Sequence, residues 1–127
     1  MTFLKRILLV DPEPRATKRV RSALEETGQY LIKEEHDTRC AVSAARWFQP
    51  NLILFELLNP GPQADSIAHQ LRQDASCKET PLLFFSANKG DDRVVSGGIL
   101  SGYSFFANPV AIEEFVRCVA ELLTPGK

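Results

Sequence analysis

The 127 residues are about the length of one domain, and 44% hydrophobic with 24% charged residues supply an ordinary globular core. A net charge of -1 and a pI near 6.1 exclude a bulk electrostatic pull toward nucleic acid or an anionic membrane surface. No apolar run approaches the roughly 18 residues that span a bilayer. The short apolar stretch of "MTFLKRILLVDPEP" runs straight into Asp-Pro-Glu-Pro, unlike a signal peptide, so a cytoplasmic location is expected.

"RILLVD" (6–11) is an apolar run of strand length. Residues 13–27 place Ala16, Val20, Ala23 and Leu24 at helical spacing, with Pro12 in the first turn and Gly28 as the stop. Arg15, Lys18, Arg19 and Ser22 share one face of that helix, which reads as a solvated face balanced by Glu25 and Glu26. "YLIKEEH" (30–36) begins apolar and turns polar, suiting a strand near a sheet edge. Thr38 to Gln49 is helical through Ala41, Val42, Ala45 and Phe48, with Trp47 beside that face and Pro50 ending it. "NLILFE" (51–56) is the most buried strand by composition. "ADSIAHQLRQD" (64–74) is a helix with Ile67, Ala68 and Leu71 inward, and "PLLFFSA" (81–87) is another apolar strand. "DDRVVSGGILSG" (91–102) carries helical spacing at Val94, Val95 and Leu100, interrupted by Gly97-Gly98. "YSFFAN" (103–108) is a short strand, and "VAIEEFVRCVAELL" (110–123) is a strongly periodic helix.

Strand and helix thus alternate five times, which predicts a parallel sheet covered on both faces, with right-handed crossovers. In such sheets sites form outside the carboxyl ends of the strands. That rim collects Asp11, Glu56, Ser86 and Asn108. Cys40, Cys77 and Cys118 are widely spaced without a metal-site pattern and read as reduced thiols. His36 and His69 stand alone and read as structural or surface residues. No Gly-rich phosphate loop follows the first strand, and no His adjoins Ser86.

In this order and spacing the chain resembles a response-regulator receiver domain, the flavodoxin-like module of two-component signalling. "FELLNPGP" is similar to the segment running from the phosphoacceptor Asp into the Met-Pro-x-x-Asp-Gly loop. "FFSA" is similar to the Ser/Thr-Ala that ends the fourth strand, and "GYSFFANP" to the Gly-Ala-x-x-Tyr-x-x-Lys-Pro segment. The resemblance implies an α/β (βα)5 sandwich over residues 1–124, with a five-stranded parallel sheet in order 2-1-3-4-5 and a tail or linker at 125–127.

It also implies a chemistry that this chain does not complete. Receiver domains hold Mg²⁺ with two acids after the first strand, the acceptor Asp and a backbone carbonyl two residues on. The metal and a Lys stabilise phosphoryl transfer to the acceptor. Here Asp11 is retained, Pro12 replaces the second acid, Glu56 replaces the acceptor and Asn108 replaces the Lys. Ser86 is retained and Phe105 stands at the switch-aromatic position. An acceptor one methylene longer moves its attacking oxygen by about 1.5 Å, and misplacement on that scale can cost about a hundredfold.

No metal is therefore expected, the residual donors being Asp11, Glu56 and the Leu58 carbonyl. The chain is expected to be a pseudo-receiver, not an enzyme, acting through protein contact by its 91–123 face (fourth helix, fifth strand, fifth helix). A homodimer through that face is a further partner option; nucleic acid and membrane are not expected partners. In one reading of Glu56, Ser86 hydrogen-bonds it and holds an active-like state; in the other it is a relic carboxylate. Close to Asp11, it should have one carboxyl of the two raised in pKa. The alternatives are a Mg²⁺-dependent phosphoacceptor and the amino-terminal regulatory domain of a longer DNA-binding or enzymatic regulator.

Overall fold

Strand β1 (Lys5–Val10) lies between β2 (Tyr30–Glu35) and β3 (Leu52–Glu56), and β4 (Leu82–Ala87) follows β3. The computed structural model describes residues 4–56, 62–87, 93–100, 103–106 and 110–124. All pairings among these four strands are parallel, in order β2-β1-β3-β4. Parallel strands need crossovers, and α1 (Pro14–Glu26), α2 (Ala41–Phe48) and α3 (Pro62–Gln73) supply them.

Alternation along the strands builds two cores. Ile7, Leu9, Leu52, Leu54 and Phe85 bury on one face, against Val20 and Leu24 of α1 and Phe115 and Val119 of α4 (Ile112–Leu122). Leu8, Val10, Ile53, Phe55 and Phe84 bury on the other, against Ala41, Ala44 and Ala45 of α2 and Ile67, Ala68 and Leu71 of α3. Tilted pairs, Phe85–Phe115 and Phe55–Phe84, each with ring centroids 5.4 Å apart, anchor the two layers. Such pairs add about 0.5–1.5 kcal/mol beyond burial. Every residue of β3 is buried, as its composition requires, whereas β2 is half-covered, as an edge strand should be.

Helix boundaries follow local chemistry. Pro14, rather than the expected Pro12, occupies the first turn of α1, and Glu13 is the residue before it, without a side-chain cap. Gly28, at φ 70°, closes α1 by donating its N–H to the Glu25 carbonyl. A 3₁₀ turn at Thr38–Cys40, capped by the Asp37 side chain, precedes α2.

The fourth predicted helix is not a helix. Residues 93–100 form β5 (Arg93–Leu100), antiparallel to β4, with Phe84 opposite Gly97 and Ser86 opposite Val95. The predicted fifth strand forms as β6 (Tyr103–Phe106), but pairs antiparallel with β5 instead of parallel with β4. β7 (Val110–Ala111) also pairs with β5, completing a seven-stranded sheet. The expected five-stranded, all-parallel order therefore holds for its first four strands only. The physical reason lies in "RVVSGGIL". Two adjacent glycines each cost about 1 kcal/mol against Ala in a helix, while Val94, Val95 and Ile99 are β-branched and favour a pleated surface. Val94 completes the core under α4 from its strand position.

Among the described residues no helix is long and apolar enough to cross a membrane. All three cysteines are free, Cys40 and Cys118 exposed and Cys77 buried. Trp47 is 75% exposed, more than a packing role implies; it stacks on Phe48 and carries the Lys33 ammonium 5.1 Å above its ring.

Candidate functional site at the carboxyl rim

Strand alternation brings four polar residues to one face of the sheet at its carboxyl rim. Asp11 continues the parity of Ile7 and Leu9, Glu56 that of Leu52 and Leu54, and Glu34 and His36 that of Tyr30 and Ile32. All of those apolar residues pack on the α1–α4 side. Asp11 extends the β1–β2 ladder, its N–H donating to the Glu35 carbonyl at 2.9 Å.

Asp11 is fully buried and engaged on both oxygens. Thr17 donates its hydroxyl to Oδ2 at 2.8 Å. His36 Nδ1 lies 2.9 Å from Oδ1 and 3.2 Å from the Asp11 carbonyl. A carbonyl only accepts, so Nδ1 carries the proton. Glu34 contacts Asp11 and is held by Arg21 from α1. Burial first, then the Glu34 contact, pushes Asp11 up to about 7 against the pull of Thr17 and His36. Burial also raises Glu34, but its bonds to Asp11 and Arg21 outweigh this and leave it below the usual range. The Asp11 carbonyl, opposed by burial and aided by the Asp11 charge, raises His36.

Glu56 is 1% exposed, and neither carboxylate oxygen has a hydrogen-bond partner. Burial pushes it up to about 7. The nearby Glu13 N–H offsets part of this without closing a hydrogen bond, and the charges of Asp11 and Glu13 add to the rise. The expected like-charge effect between Asp11 and Glu56 is thus present on Glu56 but secondary to burial, while Asp11 is raised by burial and Glu34. The Ser86–Glu56 hydrogen bond on which one of the two readings of Glu56 depends is not formed. Glu56 pairs in register with Phe85, and half-buried Ser86 follows on the parity of Phe84, the opposite face of the sheet. Leu58 and Asn108 lie outside the described residues, and Phe105 is described only through its backbone pairing with Gly98.

The residues do not fit a receiver-type Mg²⁺. Pro12 offers no side-chain oxygen, both Asp11 oxygens already have partners, and a Glu56 raised to about 7 is half protonated near neutral pH. A protonated carboxyl is a poor ligand for a hard cation.

Comparison with known proteins agrees with the fold. The protein PilH of Pseudomonas aeruginosa is 24% identical over 120 residues, covering 94% of this chain and 98% of PilH. The phosphate regulon transcriptional regulatory protein PhoB of the same organism is 27% identical over 119 residues, 94% of this chain but 52% of PhoB. Among solved structures, a response regulator from Desulfuromonas acetoxidans has a TM-score of 0.57 at 27% identity, over 65% of this chain and 66% of that one. The receiver domain of NtrC4 from Aquifex aeolicus has a TM-score of 0.63 at 16% identity, over 94% and 96%. Its relatives are response regulators, and its structural neighbours are their receiver domains. No family model matches the chain. The chain spans nearly all of PilH and about half of PhoB.

Against the receiver-domain fold, sequence reasoning located Asp11, Glu56 and Ser86 on the rim and missed Thr17, Arg21, Glu34 and His36. The signal was present: Glu34 and His36 are two apart at the polar end of "YLIKEEH", so they share a face, and parallel pairing sets that end beside Asp11.

Proposed function

We propose that this is a receiver-like signalling domain that works by protein–protein contact, without conventional Mg²⁺-dependent phosphoryl transfer to Glu56. The observation that carries the reading is Glu56 itself, 1% exposed, unpartnered and raised to about 7. A nucleophilic carboxylate must be ionised and reachable by the phosphoryl donor, and this one is neither fully ionised at neutral pH nor accessible. Asp11, which would otherwise support a metal, is committed to Thr17 and His36. Pro12, Asn108, Ser86 and Phe105 are the remaining degenerate positions of that site, and no catalytic role is assigned to any of them.

The partner surface we assign is the 91–123 face, in which β5 stands where the sequence predicts the fourth helix. Its helical part, α4, turns Glu113, Glu114, Arg117 and Glu121 outward around Leu122, which is 45% exposed. That mixture of charge around an apolar centre suits a protein partner, including a second copy. Adding beryllofluoride with Mg²⁺ and following backbone amide resonances tests the reading. Unmoved signals at Ser86 and Phe105 are expected; a Mg²⁺-dependent shift at both overturns it.

A further inference from the structure

The β2 edge of the sheet carries an apolar surface that the core does not use. Among the described residues the exposed large hydrophobic side chains are Leu4, Leu31, Trp47 and Leu122. The first three gather at one corner. Leu4 and Arg6 continue the parity of Leu8 and Val10, which pack on the α2 side. Leu31 pairs in register with Arg6 and so faces the same side. Arg6 donates from Nε to the Gln49 carbonyl at 2.9 Å, which sets the last turn of α2 beside this corner. Trp47 belongs to that turn, stacks on Phe48 and lies under the ammonium of Lys33, two residues beyond Leu31 on β2. Leu4, Leu31 and Trp47 are 46%, 50% and 75% exposed.

The edge itself is open. β2 is terminal in the sheet, so its outer backbone groups have no strand partner among the described residues. Edge strands are ordinarily blunted by charge. Here residues 30–32 carry none, and Leu31 stands out on the α2 side instead. The charge beside the apolar corner is positive. Lys33 has the Trp47 ring and Arg6 the Gln49 carbonyl, and no described carboxylate pairs with either. Glu35, farther along β2, accepts the Asp37 N–H with its side chain. A second copy of the chain complements this edge poorly. In antiparallel pairing about a two-fold axis, registers centred on Leu31, Ile32 or Lys33 set Gln29, Leu31 or Lys33 opposite Lys33. Centring on Glu34 or Glu35 gives Lys33 an acid but sets that glutamate against its own copy, and like charges directly opposite are destabilising.

We propose that the outer edge of β2, with Leu4, Leu31 and Trp47, is a docking site for an extended segment of a partner protein that alternates apolar and acidic residues and adds to the sheet as a further strand. Main-chain hydrogen bonds to β2 give such a site its affinity, and alternate side chains give it selectivity. An apolar side chain sits beside Leu31 and Trp47, and a carboxylate two residues along sits beside Lys33. Trp47 is the anchor, since tryptophan is enriched among the residues that dominate binding energy. The site lies at the opposite edge of the sheet from β5 and β6. It uses neither Glu56 nor a phosphoryl group, so it is independent of whether Glu56 is phosphorylated.

The test selects short random peptides from a display library against the whole chain and maps the enriched ones on the wild type by NMR. Trp47 is the sole tryptophan, so its indole signal reports this corner alone. Peptides that alternate apolar and acidic residues are expected, shifting the β2 amides and the Trp47 indole. Affinity should fall about tenfold or more in Trp47→Ala and not change in Leu122→Ala. Because Trp47 is largely exposed, its removal should leave the fold intact, and the shifts are read on the wild type in any case. Lys33→Glu should reverse the preference between an enriched peptide and its version with Lys in place of the acid. The proposal is overturned by a selection that enriches nothing, by peptides that lack the alternation or shift signals elsewhere, or by a Lys33→Glu chain that keeps the original preference. Shifts of the β2 amides with protein concentration, without peptide, assign the edge to a second copy and overturn it as well.

Discussion

Replacing Glu56 with Gln isolates the energetic consequence of a buried, unpartnered carboxyl. In the folded protein Glu56 titrates at about 7 against an ordinary 4.5, because burial disfavours its charge. The folded state therefore binds this proton more tightly than the unfolded chain does. Stability is highest below the unfolded value, falls as pH rises toward about 7, and is level above it. A displacement from 4.5 to about 7 amounts to a ceiling of roughly 3 kcal/mol, at about 1.36 kcal/mol per unit. At pH 5 both folded proteins carry a neutral side chain of similar shape, and ionisation of Glu56 in the unfolded wild type alone gives Glu56→Gln an advantage of about 1 kcal/mol or less. At pH 8 Glu56→Gln should be more stable by about 2–3 kcal/mol. Urea unfolding followed by circular dichroism from pH 5 to pH 8 measures the difference, and groups common to both proteins cancel. A gap that stays flat with pH, or a wild type that is more stable at pH 8, would show that ionised Glu56 is stabilised in the fold and would refute the reasoning.

Thr17→Val removes the hydroxyl that bonds the buried Asp11, and should cost about 1–3 kcal/mol in the same unfolding assay. Phe115→Ala should cost about 3–5 kcal/mol by opening a cavity beside Phe85, whereas Leu122→Ala, at an exposed position, should stay within about 0.5 kcal/mol. Secondary chemical shifts across 93–100 should be extended; helical shifts there would restore the fourth helix and contradict the β5 pairing.

The first two-thirds of the fold is legible because periodicity and burial agree. In "NLILFE" nothing but a doubly covered strand accommodates four consecutive apolar residues, and in residues 13–27 the spacing of Val20 and Leu24 matches the face that is buried. Legibility fails at "RVVSGGIL", where spacing at Val94, Val95 and Leu100 imitates a helix. Spacing is weaker there than the combined backbone preferences of Gly97, Gly98 and three β-branched residues. On the rim, Asp11 and Glu56 are readable because each ends an apolar run. His36 is not: a lone histidine after a polar strand end acquires its partner only through the β1–β2 register, a non-local relation. The Ser86–Glu56 bond fails for a similar reason, since matching a linear pattern ignores which face of β4 each residue takes.

The central claim is tested most directly by incubating the protein with acetyl phosphate and Mg²⁺ and measuring its intact mass. The account predicts no phosphoryl adduct, with Glu56→Gln indistinguishable from the wild type. A Mg²⁺-dependent, hydroxylamine-labile phosphoryl group that disappears in Glu56→Gln would contradict it.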